Sequence, residues 1–175
     1  MSKKLFDLQN KNVLLTGASK GMGLAMAEGL VNHGANVVIS SRKLDQCEKA
    51  AKSINESIGK EKAFAYACNA SNKDELNALV EFSKSKLGSI TTLVCNAGVN
   101  SFFGSMSEID DESYDKTMDT NVKSNHWLIN MVTPSMKESG GGSVMITSSI
   151  AAFHASETLG TYSISKLAVL GLVRN

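Results

Sequence analysis

The sequence predicts an α/β fold built on a parallel sheet, and two observations predict it. Short apolar runs rich in β-branched residues alternate along the chain with longer stretches of helical periodicity. The first of these runs, Val13, Leu14 and Leu15, passes through a glycine-rich loop straight into a helix-like stretch. At 175 residues, 42% of them hydrophobic, residues 1–175 are expected to form one domain around one core.

The glycine loop is the octet Thr-Gly-Ala-Ser-Lys-Gly-Met-Gly at Thr16 to Gly23. Gly17, Gly21 and Gly23 remove Cβ at three places, so the backbone can turn sharply and approach a ligand. The free N–H groups of the following helix favour an anion such as a pyrophosphate. The spacing G-x3-G-x-G differs from the G-x-G-x-x-G of the common dinucleotide fingerprint, and alone such a loop also occurs as an ordinary turn.

A helix follows the loop, with Met22, Ala25, Met26, Gly29, Leu30 and His33 at helical spacing and Gly34 as its stop. His33, beside that stop, is read as solvated. Asn36 to Ser40 holds Val37, Val38 and Ile39, a strand, and Leu44, Cys47, Ala51, Ile54 and Ile58 mark a second helix that ends at Gly59. Ala63 to Ala67 is a third strand; Leu76, Leu79, Val80, Ser83 and Leu87 form one face of a third helix; Thr92 to Cys95 is a fourth strand. Val99 to Asp110 reads as a loop whose aromatics either border a pocket or pack. From Asp111 to Lys137 runs the longest helical pattern, with Tyr114, Met118, Val122, Asn125, Ile129, Val132 and Met136 on one side. Pro134 inside it predicts a kink or an early end near Val132 and Thr133. Gly140 to Gly142 break the chain before a fifth strand, Ser143 to Thr147, with Ser148 and Ser149 at its C-terminal end, where open parallel sheets bind ligands. His154 reads as a solvated loop residue.

Charge and cysteine content narrow the function classes. Eighteen Lys and Arg against 17 Asp and Glu are interspersed, so no basic stripe marks nucleic acid or an acidic membrane. Cys47, Cys68 and Cys95 lack the spacing of a disulfide framework or a zinc site, so no metal is expected and a reducing cytoplasm fits best. Met1 to Asp7 carries charge without an apolar core of signal length, and no apolar run approaches the ~20 residues of a membrane span. Small molecules and copies of the chain itself are the expected partners.

Tyr162 and Lys166 stand four residues apart, on one face of a helix. A free phenol titrates near ~10, too high for efficient proton exchange at neutral pH, and a nearby ammonium favours the phenolate. Taken in order, Thr16-Gly17-x-x-x-Gly21-x-Gly23, Asn96-Ala97-Gly98, Asn121, Ser149 and Tyr162-x-x-x-Lys166 resemble the short-chain dehydrogenase/reductase family, classical type. The resemblance extends from about Lys11 to the end of the chain. It departs from the family at Asn69, where Asp is usual, and at Cys95, where the motif usually has a first Asn.

The resemblance implies a Rossmann-like doubly wound parallel sheet with strand order 3-2-1-4-5, lacking the family's last two strands, so that the domain is incomplete at its C-terminus and the fifth strand keeps a bare edge. It implies an NADP(H)-dependent oxidoreductase interconverting a carbonyl and an alcohol. Tyr162 would be the proton donor, Ser149 a hydrogen bond to the carbonyl oxygen, Lys166 a partner of both Tyr162 and the nicotinamide ribose, and Asn121 the residue that positions a relay water. Cofactor contacts are implied at Gly17, Ser19, Lys20, Gly21, Met22, Gly23, Ser41, Arg42, Asn69, Asn96, Ala97, Gly98, Tyr162 and Lys166. Ser40-Ser41-Arg42 stands where an NAD enzyme usually has an acidic residue, and with Lys20 it favours a 2′-phosphate. As plain surface charges, Lys20 and Arg42 would carry no such preference. The family pairs the helices equivalent to residues 111–137 and to Thr161 onward, so a homodimer or homotetramer is expected of an intact form. A catalytically inactive, truncated remnant that binds nucleotide or a family partner is the alternative.

Overall fold

The computed structural model describes residues 5–175; residues 1–4, the start of the charged N-terminal stretch, lie outside the described residues. Strands β1 (Asn12–Thr16), β2 (Asn36–Ser41), β3 (Ala63–Ala67), β4 (Thr92–Cys95) and β5 (Ser143–Ile146) alternate with helices α1 (Gly21–Asn32), α2 (Leu44–Ile58), α3 (Lys73–Leu87), α4 (Asp111–Met118), α5 (Ser124–Glu138) and α6 (Gly160–Arg174). All strand pairs are parallel and the sheet order is β3-β2-β1-β4-β5, as the resemblance implied.

Because successive side chains of a strand point to opposite faces, each strand of a sheet covered on both sides feeds two cores. Val13 and Leu15 of β1 join Val37 and Ile39 of β2 against Ala27, Val31, Cys47 and Ile54 of α1 and α2. Leu14, Val38 and Leu93 point the other way, against Leu76, Leu79 and Val80 of α3 and Leu128, Val132 and Met136 of α5. The register aligns Thr16 with Ser40 and Cys95 with Ile146, which brings the C-terminal strand ends into one row. At the opposite end a polar clasp joins three elements: Asn36 Nδ2 donates to Asn12 Oδ1 at 2.9 Å, and Lys62 Nζ donates to the Gly34 carbonyl at 2.9 Å.

Two expected helix faces are corrected. In α1 the buried positions are Gly23, Ala27 and Val31, whereas Met22, Ala25, Gly29 and His33 lie outward. The helix N-terminus approaches the sheet too closely for large side chains, so small residues form the contact and Leu24, Met26 and Leu30 flank it. In the long pattern after Asp111 the buried positions are Thr117, Thr120, Asn121, Ser124, Asn125, Leu128, Val132 and Met136, and Tyr114 is exposed. A π-helical turn at Asp119–Lys123, in which Ser124 N bonds the Asp119 carbonyl five residues back, inserts a residue and shifts the phase.

The expected early end is corrected too. Helix α5 runs through Pro134 to Glu138, and the break in the α-helical ladder falls at the π turn instead. Pro134 sits on the exposed side, where its ring has room and water can take up the carbonyl freed by its missing N–H. Strand β5 lies at the sheet edge and leaves Met145 47% exposed.

Leu93, fully buried in the strand between β1 and β5, is a stringent test of this packing. Leu93→Ala should lower the free energy of unfolding by about 2–5 kcal/mol, read from urea denaturation followed by circular dichroism.

Candidate active site

The C-terminal strand ends are tied together by side chains rather than by the ladder. Thr16 Oγ1, at the end of β1, accepts from the backbone N–H groups of Asn96 at 3.1 Å and Ala97 at 3.2 Å. Asn96 Nδ2 donates to the Gly17 carbonyl at 2.9 Å, and Thr147 Oγ1, just past β5, donates to Asn96 Oδ1 at 3.0 Å. The backbones are therefore close. Gly17 has φ +65°, and a Cβ there would lie 2.8 Å from Ala97 Cα. A Cβ on Gly23 would overlap the Gly17 carbonyl oxygen and lie 2.7 Å from Asn96 Nδ2. Both positions exclude a side chain on steric grounds.

The glycine loop leads into α1 without a side-chain cap and without an acidic residue in the first turn. Two other helices carry side-chain caps, Asn72 Oδ1 accepting from Asp74 N and Glu75 N ahead of α3 and Asp110 accepting from Ser113 N ahead of α4, while α2, α5 and α6 have none. The first N–H groups of α1 are left to an outside acceptor. Around this opening Ser19 is half-buried, Lys20, Gly21 and Arg42 are exposed, and Met22 is 68% exposed. Ser41, half-buried at the end of β2, has its Oγ 3.0 Å from Cys47 Sγ. Asn69, beyond β3, turns its Oδ1 back to Ser71 N and Oγ, so its amide oxygen is engaged within its own turn.

On the other side of the opening Gly98, Asn121 and Lys166 converge. A Cβ on Gly98 would stand 3.2 Å from Lys166 Nζ and 3.4 Å from Asn121 Oδ1. Asn121, fully buried in the π turn, holds both polar groups of Val99: its Oδ1 accepts from Val99 N at 2.8 Å and its Nδ2 donates to Val99 O at 2.8 Å. Lys166 Nζ donates to the Thr147 carbonyl at 2.8 Å and lies 5.6 Å from the centre of the Tyr162 ring. Burial holds the Lys166 ammonium below its ordinary value of 10.5.

The two serines after β5 differ. Ser148 Oγ donates its proton to the Lys166 carbonyl at 2.7 Å. Ser149 Oγ accepts from Ala151 N at 3.2 Å, an arrangement that leaves its own proton for another acceptor. Ile150 and Phe153, next along the chain, are 75% and 69% exposed.

The structure thus brings Gly17, Gly23, Asn96, Ala97, Gly98, Asn121, Ser149, Tyr162 and Lys166 to one end of the sheet, with the Ser41–Arg42 and Asn69 positions at the ends of β2 and β3. Sequence reasoning passed over Thr16 as a ligand of the Asn96 loop, Thr147 as the acceptor of the Lys166 ammonium, and Ser165. Thr16 opens the glycine motif and Ser165 sits inside Tyr162-x-x-x-Lys166, so both were within reach. Burial raises the thiols of Cys68 and Cys95 to about 12, which leaves both as neutral packing groups. Among the described residues, no cluster of three or more His, Cys, Asp or Glu could hold a metal ion, and no helix is long and apolar enough to cross a membrane.

Comparison with known proteins agrees with this geometry. The sequence profile described as short chain dehydrogenase matches residues 11–175. Dehydrogenase/reductase SDR family member 4 of Oryctolagus cuniculus is 38% identical over 169 residues, which are 96% of this chain and 64% of that protein. The chain therefore spans less than two thirds of that relative. A metagenomic short-chain oxidoreductase in complex with NADP superposes with a TM-score of 0.88 at 28% identity, covering 95% of this chain and 74% of the other. The NADH-dependent reductase A1-R′ complexed with NAD gives 0.88 at 28% identity, covering 98% and 73%.

Burial of the Lys166 ammonium has a measurable consequence. Between its lowered value and 10.5 the unfolded chain binds more protons than the native one, so this residue makes stability rise with pH in that window. Urea unfolding from pH 7 to 10.5 should find wild type gaining stability relative to Lys166→Met as pH increases. Parallel curves would show that the ammonium is not held in a desolvated place.

Proposed function

The chain belongs to the short-chain dehydrogenase/reductase family, and from that premise we propose that it interconverts a carbonyl compound and its alcohol with NADP(H) as the partner. The observation that carries this reading is the close approach of Lys166 Nζ and Asn121 to Gly98, beside Tyr162 on α6 and the uncapped N-terminus of α1.

The residues fit a dinucleotide. The α1 N–H groups, with no cap and no competing carboxylate, suit its pyrophosphate. Ser41 and Arg42 at the end of β2 and Lys20 in the loop suit a 2′-phosphate, which a guanidinium and an ammonium bind and a carboxylate would repel. Asn69, whose amide oxygen is engaged in its own turn, would border the adenine, and Gly98 with Lys166 would take the nicotinamide ribose. When bound, the nicotinamide supplies or accepts the hydride.

The protein's own residues handle the proton. In the reducing direction the Tyr162 phenol donates to the carbonyl oxygen, and the Lys166 ammonium stabilises the charge left on the phenolate. Ser149, whose proton is not spent within the protein, donates to the same oxygen and stabilises charge as it develops. A second reading, nucleotide binding without turnover, draws on the exposed Met145, Ile150 and Phe153.

Two measurements test the proposal. Isothermal titration should find NADPH bound more tightly than NADH, with Arg42→Asp reversing the order by at most about 3 kcal/mol; equal affinities in wild type would remove the 2′-phosphate assignment. NADPH oxidation with a panel of ketones should be abolished by Tyr162→Phe while NADPH affinity stays within about threefold. Tight NADPH binding with no turnover of any ketone by wild type would favour the second reading.

A further inference from the structure

We propose that Ser165 is a positioning residue of this site, its hydroxyl locking the Asn121 carboxamide to the helix that carries Tyr162 and Lys166. This role in turnover rests on the oxidoreductase reading; the lock itself rests on geometry alone. Ser165 lies three residues after Tyr162 and one before Lys166, and it is fully buried. A serine inside a helix is unfavourable unless its hydroxyl finds work. Here Oγ donates to the Tyr162 carbonyl at 2.7 Å, which commits its single proton and turns its lone pairs outward from the helix. One of them accepts from Asn121 Nδ2 at 2.9 Å.

The amide at the other end is then fully committed. One Nδ2 proton goes to Ser165 Oγ and the other to the Val99 carbonyl, while Oδ1 accepts from Val99 N. Asn121 therefore has no side-chain proton for a substrate or a water; its amide is a three-way joint between the π turn, the strand-end loop that follows Gly98, and α6. Gly98 and Lys166 lie on the two elements so joined, and a Cβ on the glycine would lie 3.2 Å from Nζ. Ser165 sets how those elements stand relative to each other. An alanine there would suit the helix better but would leave a buried Nδ2 proton unpaired, freeing the amide to rotate.

The test has a readout independent of turnover. In the 175-residue chain without cofactor, NMR should find both Asn121 Nδ2 protons exchanging with solvent at least about tenfold slower than those of exposed asparagines. Ser165→Ala should release one of them to a rate near that of the exposed ones, and Ser165→Thr, which keeps a hydroxyl, should hold it. On turnover, Ser165→Ala should lower kcat about tenfold with the ketone KM and NADPH affinity unchanged, and the loss should vanish in an Asn121→Ala background. Fast exchange of both protons in wild type, or exchange unaltered by Ser165→Ala, would overturn the lock even where that variant folds poorly. If the exchange results hold and no ketone is reduced by wild type, the lock stands and the oxidoreductase reading fails.

Discussion

Thr16 Oγ1 is the point on which the site depends. In a parallel sheet the chain leaves each strand at the ligand-binding end, and there the ladder stops supplying partners for backbone N–H and C=O groups. One hydroxyl takes two of these N–H groups, from Asn96 and Ala97. The reciprocal bond from Asn96 Nδ2 to Gly17 O then closes a ring between the loops after β1 and β4, and Thr147 adds the loop after β5. Leaving one buried donor of such a network unpaired costs about 1–3 kcal/mol. The network also requires the absence of side chains at Gly17 and Gly23, since a Cβ at either would meet backbone atoms within 3 Å. Close approach and polar satisfaction are one requirement here.

The same logic continues toward α6. Asn121 satisfies both backbone groups of Val99 and bonds Ser165; Lys166 bonds Thr147 O; Ser148 bonds Lys166 O. Each joins one loop to α6, so Tyr162 stands on a helix referenced to the sheet at three points. The cost falls on Lys166, whose ammonium is partly desolvated and lowered in its titration. The π turn is what puts Asn121 inward in register with Ser165. The phase read from Tyr114, Met118 and Val122 is not the buried one: Tyr114 is exposed and Met118 and Val122 are only partly buried, while Thr117, Thr120 and Asn121 lie inside.

Most of the fold was legible because its signals are local. The strands at Ala63 to Ala67 and Thr92 to Cys95 and the α3 face at Leu76, Leu79, Val80 and Ser83 lie where periodicity placed them. The α1 face was not legible, because close packing there selects glycine and alanine, which hydropathy does not register. The π turn was not legible either: Asp119 to Lys123 reads as ordinary helix, and only the partner across the core, Ser165, shows why the extra residue is there. Pro134 misled because an exposed proline can be carried inside a helix. Within the site, the residues proposed to bind were readable as motifs only in combination, whereas the residues that hold them, Thr16, Thr147 and Ser165, are single hydroxyls whose partners lie tens of residues away.

The proposed dinucleotide site runs across the C-terminal strand ends, from Arg42 to Gly98. Titration of the 15N-labelled chain with NADP+, followed by amide chemical shifts, tests it directly. Shifts should concentrate at residues 17–23, at Ser41 and Arg42, and at residues 96–98, with little change at Asn36 and Lys62 on the opposite end of the sheet. Shifts centred on the Asn36 and Lys62 end, or none at saturating NADP+, would contradict it.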